Sequence, residues 1–260
     1  MNYSTQEHEY INDKYNLGLY YLKNEINIDL GVQYLTESAE GGFDKAQNDL
    51  GELFYNGNLV KQDFKKAFEF YKKAADNGNL YAKYNVGWCY YDGKGTTTNL
   101  EKAFTNFEYG AKNHDPISQN MLGIFYQKGL FVEVNEKKAF QYFLKSSKKG
   151  DIEGQYNLAM CYLSGIGTEK SIDKTKELLI TSANKGYPFA IQKIFELEDS
   201  SNDTEQNISD AYKIYCESFN KNYKTSIIEK QKFEESIKWY HLTKNKHITH
   251  TKQTRSGKIY

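Results

Sequence analysis

The feature that most constrains this chain is a period. Small residues stand at Ala46, Ala82, Ser118, Gly154 and Ala190, each 36 positions after the last. A Leu-Gly step or a variant of it recurs in the same register, at Leu50-Gly51, Val86-Gly87, Leu122-Gly123 and Leu158-Ala159. An aromatic follows at Phe54, Tyr90, Tyr126 and Tyr162, then a glycine at Gly57, Gly93, Gly129 and Gly165. A Lys-Ala pair comes next at Lys66-Ala67, Lys102-Ala103 and Lys138-Ala139, and decays to Lys174-Thr175 and Asp210-Ala211. The unit closes on Gly42, Gly78, Gly150 and Gly186, with His114 standing in between. A fixed period held by so many residue types marks repeats that stack on their neighbours, each too small to bury its own apolar face.

The spacing inside one unit predicts two helices. Ala46, Leu50, Leu53, Phe54 and Gly57 fall on one face of a first helix. Gly57 ends it, because glycine reaches left-handed backbone angles at little cost. After a short polar loop, Asp63 offers an N-cap oxygen to a second helix, and Asn99, Asn135 and Ser171 repeat that cap. The second helix buries Phe64, Ala67, Phe68, Tyr71, Ala74 and Ala75. Gly51 and Ala67 let the paired helices approach closely, with aromatics filling the space around them. A large residue at Gly87 or Ala103 is therefore expected to overpack the pair.

The pattern A…LG..Y..G…..KA..(F/W)Y.KAA..G, carried by Ala46, Leu50, Gly51, Phe54, Gly57, Lys66, Ala67, Tyr71, Ala74, Ala75 and Gly78, resembles the Sel-one-like repeat family. That family is a branch of the tetratricopeptide-repeat superfamily. Ala82, Gly87, Tyr90, Gly93, Gly95, Lys102, Ala103 and Ala111 carry the match into the next unit. The resemblance implies an all-α, right-handed α-solenoid of about six antiparallel helix pairs. It also implies an interaction scaffold or adaptor, with first helices lining a concave groove that receives a protein or peptide.

Along the chain, the first repeat begins near Asp13, and Gly18 to Gly51 is 33 rather than 36 positions, which shortens its loop by three residues. Pro116 and Pro188 each open a first helix, where the missing N–H costs little. The sixth unit is degenerate: Phe195 and Glu198 replace its glycine and aromatic. A polar stretch at 200–207 precedes a second helix at 209–220, and 223–244, with Trp239-Tyr240, reads as a capping helix. Residues 1–245 are thus expected to form the solenoid, and 246–260 a basic, disordered tail.

Composition narrows the partners. Lys+Arg and Asp+Glu both total 34, so no global field pulls the chain toward polyanions. Arg255 is the sole arginine, which argues against nucleic-acid readout. No apolar signal-peptide core or membrane-length apolar stretch occurs, which predicts a cytoplasmic protein.

The outward positions of the first helices supply the candidate contact residues. Tyr15, Tyr55, Tyr84, Trp88, Tyr91 and Tyr156 are the aromatic anchors, since such rings bury area at low entropy cost. Packing between repeats is the competing role for Tyr84, Trp88 and Tyr91, and both readings stay open here. Asn48 and Asn120, with Asn85 and Asn157, could clamp a peptide backbone or bridge repeats.

No phosphate loop, nucleophile elbow, zinc helix or dinucleotide fingerprint is present, so no cofactor and no catalytic residue is expected. Gly93-Lys94-Gly95 and Gly165-Ile166-Gly167 are turn glycines in register. Cys89 and Cys161 share a slot 72 positions apart, beyond disulfide reach, and Cys216 lies in another slot. His241, His247 and His250 have no nearby Cys or carboxylate to complete a metal site. Two alternatives remain. Some secreted members of the resembled family are β-lactam-binding or hydrolysing enzymes with paired cysteines, and self-association could run through an apolar patch at Phe195 and Trp239.

Overall fold

The computed structural model describes residues 5–199 of the chain. Among these residues every regular element is helical. Four antiparallel pairs come first: α1 (Thr5–Lys23) with α2 (Ile28–Glu40), α3 (Asp44–Asn56) with α4 (Phe64–Asp76), α5 (Leu80–Asp92) with α6 (Leu100–Lys112), and α7 (Pro116–Lys128) with α8 (Glu136–Lys148). Then follow α9 (Ile152–Ser164), α10 (Ile172–Asn184) and α11 (Pro188–Asp199). The chain divides into two units, Met1–Thr175 and Lys176–Tyr260. In the first, each helix from α1 to α9 packs on the next, as a helical-repeat solenoid does. In the second, the described residues are the remainder of α10 and α11. The expected second helix of the sixth unit, the capping helix, the tail, Cys216 and the tail histidines lie outside the described residues, as does the Phe195 side chain.

Local chemistry sets the helix ends. Asp63, Asn99 and Asn135 accept hydrogen bonds from the backbone N–H of Lys66, Lys102 and Lys138 at 3.0, 2.9 and 2.9 Å. Ser171 does the same for Lys174 at a longer 3.4 Å. The first helices are capped as well, by Asn79, Asp115 and Asp151. Phe43 occupies that slot before α3 and gives no side-chain cap. The first helices end on Gly57, Gly93, Gly129 and Gly165, with φ of 68, 72, 67 and 76°. These are left-handed values that glycine adopts without a Cβ penalty.

Close approach within a pair is governed by the Leu-Gly glycine. A Cβ on Gly51, Gly87 or Gly123 would lie 2.5, 2.8 or 2.5 Å from a ring carbon of Tyr71, Phe107 or Phe143, twenty residues on. Each ring fills the space that a side chain at the glycine of its partner helix would need. The fifth unit keeps the logic in sequence, with Ala159 where the glycine was and Leu179 where the ring was.

Close approach between repeats uses another pair of slots. Gly110 faces Ser118 and Ser146 faces Gly154, and in each case a Cβ on the glycine would collide with the serine Oγ. The equivalent pair one unit earlier is Ala74 and Ala82, both fully buried. The small residues that set the period are therefore the contact points at which one repeat stacks on the next.

The helix that carries the first repeat starts ahead of the repeat itself: α1 begins at Thr5, eight residues before the expected repeat start near Asp13. The added turns are held by α2: Ser38 Oγ donates to the Ile11 carbonyl at 2.9 Å, and Gly41 leaves room for the Ile11 side chain. The α1–α2 connection is three residues shorter than the α3–α4 connection, as the spacing predicted.

Candidate functional site

The first helices α3, α5, α7 and α9 form one layer, and the polar residues just before each Leu-Gly step stitch that layer together. Tyr15 Oη donates to Asp49 Oδ2 at 2.9 Å. Asn85 Nδ2 donates to Asn48 Oδ1 at 3.0 Å, and Asn157 Nδ2 donates to Asn120 Oδ1 at 2.8 Å. In each case the slot two before the leucine in one repeat meets the slot one before it in the next. Between the two Asn–Asn links stand Tyr84 and Met121, so that step is apolar.

Asn48 and Asn120, both buried, spend their amides inside this ladder. Asn48 Nδ2 donates onward to Glu52 Oε1 at 3.2 Å, and Asn120 Nδ2 to Glu153 Oε2 at 3.4 Å. The aromatic candidates are all half-buried. Trp88 sits between Tyr84 and Tyr91, with ring centroids 6.2 and 5.3 Å away and both contacts edge-on. Its other side, and that of Tyr84, touch the buried Phe107 at 6.2 and 6.0 Å. Tyr91 reaches Phe125 at 5.9 Å. These three rings pack between helices and stay partly exposed. Tyr156 is half-buried on α9, apart from that cluster.

Tyr55 stands on α3 opposite Trp88, and the two flank a cleft of about 430 Å³ lined by Glu52, Tyr55, Asn56, Tyr71, Asn85, Trp88 and Asp92. Tyr55 is edge-on to Phe64 at 5.2 Å and accepts a 2.9 Å hydrogen bond from Lys94 Nζ. Lys94 lies 5.0 Å from the Tyr55 ring centroid, 5.5 Å from that of Phe64 and 3.7 Å from Asp92 Oδ2. Desolvation holds the Glu52 carboxyl above the usual carboxylate range, against the Asn48 hydrogen bond, and Asp49 adds to the effect. Burial likewise raises the phenols of Tyr71 and Tyr84 well above their ordinary value.

Tyr71 was expected only as a buried residue of the second helix, and the sequence assigned no role to Glu52, Asp92 or Lys94. Tyr71 carried a signal: it occupies the slot of Phe107 and Phe143, and its hydroxyl is the one departure. Asp92 and Lys94 flank the helix-ending Gly93, where nothing in the period marks them.

Cys89 and Cys161 are free buried thiols, pushed up to about 11 and about 12 mainly by burial. Among the described residues no group of three His, Cys, Asp or Glu side chains is placed to hold a metal. Nor is any helix among them long and apolar enough to cross a membrane.

The Sel1 repeat family matches five successive segments, 14–43, 44–79, 80–115, 116–151 and 152–187, each a whole helix pair or its equivalent. The chain belongs to the Sel1 repeat family. Among solved Sel1-repeat structures, a protein from Oxalobacter formigenes is similar at 25% identity and a TM-score of 0.75, over 86% of this chain and 90% of its own. A protective antigen of uropathogenic Escherichia coli, described as displaying an SLR fold, is similar at 28% identity and a TM-score of 0.67. That similarity covers 81% of this chain but only 46% of the antigen, so the chain spans about half its length. An immunity protein of Pseudomonas aeruginosa shares the fold at 19% identity and a TM-score of 0.51, over 82% of each chain. No curated protein matches. Sel1 repeats commonly serve as protein-interaction scaffolds, and the slots that hold this fold together are those of the family.

Proposed function

We propose that this Sel1-repeat chain is a non-catalytic adaptor that binds a peptide or protein on its first-helix layer, the concave side in solenoids of this superfamily. The observation that carries the reading is the half-buried aromatic set Tyr55, Tyr84, Trp88 and Tyr91. These rings pack against Phe64, Phe107 and Phe125, and two of them, Tyr55 and Trp88, line an open cleft. Rings held rigidly by packing lose little entropy on binding, which is what contact anchors require. Tyr15 and Tyr156 extend the same layer at its two ends. Asn48 and Asn120 enter this reading as supports that fix the layer, because their amides are already engaged.

Trp88 and Tyr84 both touch Phe107, so truncating either removes stability as well as surface. The test therefore needs a matched control. Partner capture from host lysate is compared for wild type, Trp88→Ala and Phe104→Ala, the last a packing loss on α6, where Phe104 meets Phe125 and Tyr126. A partner lost with Trp88→Ala and kept with Phe104→Ala supports the first-helix layer. Equal capture by both variants overturns it.

A further inference from the structure

The cleft between α3 and α5 has a chemical bias of its own. Its walls are aromatic, from Tyr55, Tyr71 and Trp88, and its two charged groups are both carboxylates, Glu52 and Asp92. Asn85 gives an amide proton to Asn48, and Asn48 gives one to Glu52, so the ladder ends on the Glu52 carboxylate at the cleft. Among the described residues, the Asn85 carbonyl oxygen and the second Glu52 oxygen receive no donor, and no ammonium pairs with Glu52. Asp92, whose Oδ2 lies 3.7 Å from Lys94 Nζ, adds a second carboxylate to the lining. The nearby ammonium, Lys94, does not line the cleft. It is held by the Tyr55 hydroxyl and the Tyr55 and Phe64 rings, so this wall already binds one cation through aromatic faces and an oxygen.

We propose that this cleft is a recognition pocket for a cationic side chain, lysine or arginine, of the bound partner, with Glu52 and Asp92 as counter-charges and Tyr55 and Trp88 as flanking rings. The inference rests on the reading that the first-helix layer is the binding surface, and it names the chemistry of one contact there. Cations are attracted to aromatic faces and to carboxylates together, and more strongly where water is partly excluded. A volume of about 430 Å³ suits a side chain and its flanking backbone, at the lower end of the range for ligand pockets. Desolvation raises the Glu52 carboxyl by disfavouring its charge, a cost that a bound cation would offset. A lysine or arginine would give Glu52 the counter-ion it lacks and share Asp92 with Lys94; a carboxylate would face both acids, and an apolar chain would bury Glu52 without a counter-charge.

The two tryptophans of the chain are Trp88 and Trp239, so a full-length chain carrying Trp239→Phe reports on Trp88 alone. Its fluorescence is titrated with acetylated, amidated Gly-Gly-Xaa-Gly-Gly peptides, where Xaa is lysine, arginine, norleucine or glutamate. The lysine and arginine peptides should bind at least about tenfold more tightly than the norleucine and glutamate peptides. That preference should shrink as salt is raised. Glu52→Gln keeps the acceptor for Asn48, so it should preserve the melting curve while removing most of the preference. Equal affinity for lysine and norleucine, no Trp88 response to either cationic peptide, or an unchanged preference in Glu52→Gln would each overturn the inference. The underlying reading is judged separately: a partner lost with Trp88→Ala but retained by a Glu52→Gln/Asp92→Asn chain keeps the first-helix surface and discards the cation pocket.

Discussion

At the scale of single residues, the fold depends on which side chains are missing. Gly123 lies under the Phe143 ring, and an added methyl would meet it at 2.5 Å. Gly123→Ala is therefore expected to cost about 1–3 kcal/mol in urea unfolding. Adding Phe143→Leu should recover part of that loss, because Ala159 and Leu179 occupy those two slots in the next unit. A double-mutant cycle showing no coupling would mean that the glycine and the ring are independent. His114 is the opposite case, a side chain where its neighbours have none. Its φ of 64° matches the left-handed closing glycines at 78 and 150, whose φ values are 93 and 85°. His114→Gly should relieve a strain of about 1 kcal/mol and raise the urea midpoint, after the entropy glycine adds to the unfolded chain.

At the scale of helices, two kinds of hydrogen bond do different work. The N-cap bonds of Asp63, Asn99 and Asn135 fix where each second helix begins, and they were readable because the cap residue recurs with the period. The ladder bonds join first helices of neighbouring repeats, and they were only half readable. Asn48, Asn85, Asn120 and Asn157 stood out, but which amide pairs with which depends on the offset between stacked helices. Asn157→Ala removes the donor to the fully buried Asn120 and leaves that carbonyl oxygen unsatisfied. We expect a loss of about 1–3 kcal/mol, read by chemical denaturation. Asn99→Ala, which strips an exposed cap, should cost about 1 kcal/mol. A smaller loss for Asn157→Ala than for Asn99→Ala would contradict the structural weight given to the ladder.

At the scale of the whole chain, the titrating core makes one prediction. The folded state holds the thiols of Cys89 and Cys161 protonated up to about 11 and about 12, against an ordinary value of 9.0, and raises the phenols of Tyr15, Tyr71 and Tyr84. The unfolded chain releases these protons first, so stability is full below about pH 9 and falls as pH rises through the folded-state values. Thermal melting between pH 7 and pH 11 should show that decline, and both thiols should react with a thiol reagent far faster in denaturant than in buffer. The sequence by itself determined the all-helical class, the 36-residue period, the helix ends and the slots that must stay small. All of these follow from short-range rules about backbone angles, capping and helical spacing, and they repeat, so each unit confirms the others. Only the tertiary structure decided that Tyr84 and Trp88 brace Phe107, that Asn48 and Asn120 are spent on neighbours, and that Glu52, Asp92 and Tyr71 meet around one cleft. Those groups come from different helices at unrelated points of the period, and what brings them together is the angle and offset at which repeats stack. That geometry belongs to pairs of repeats, and the pattern within one repeat does not carry it.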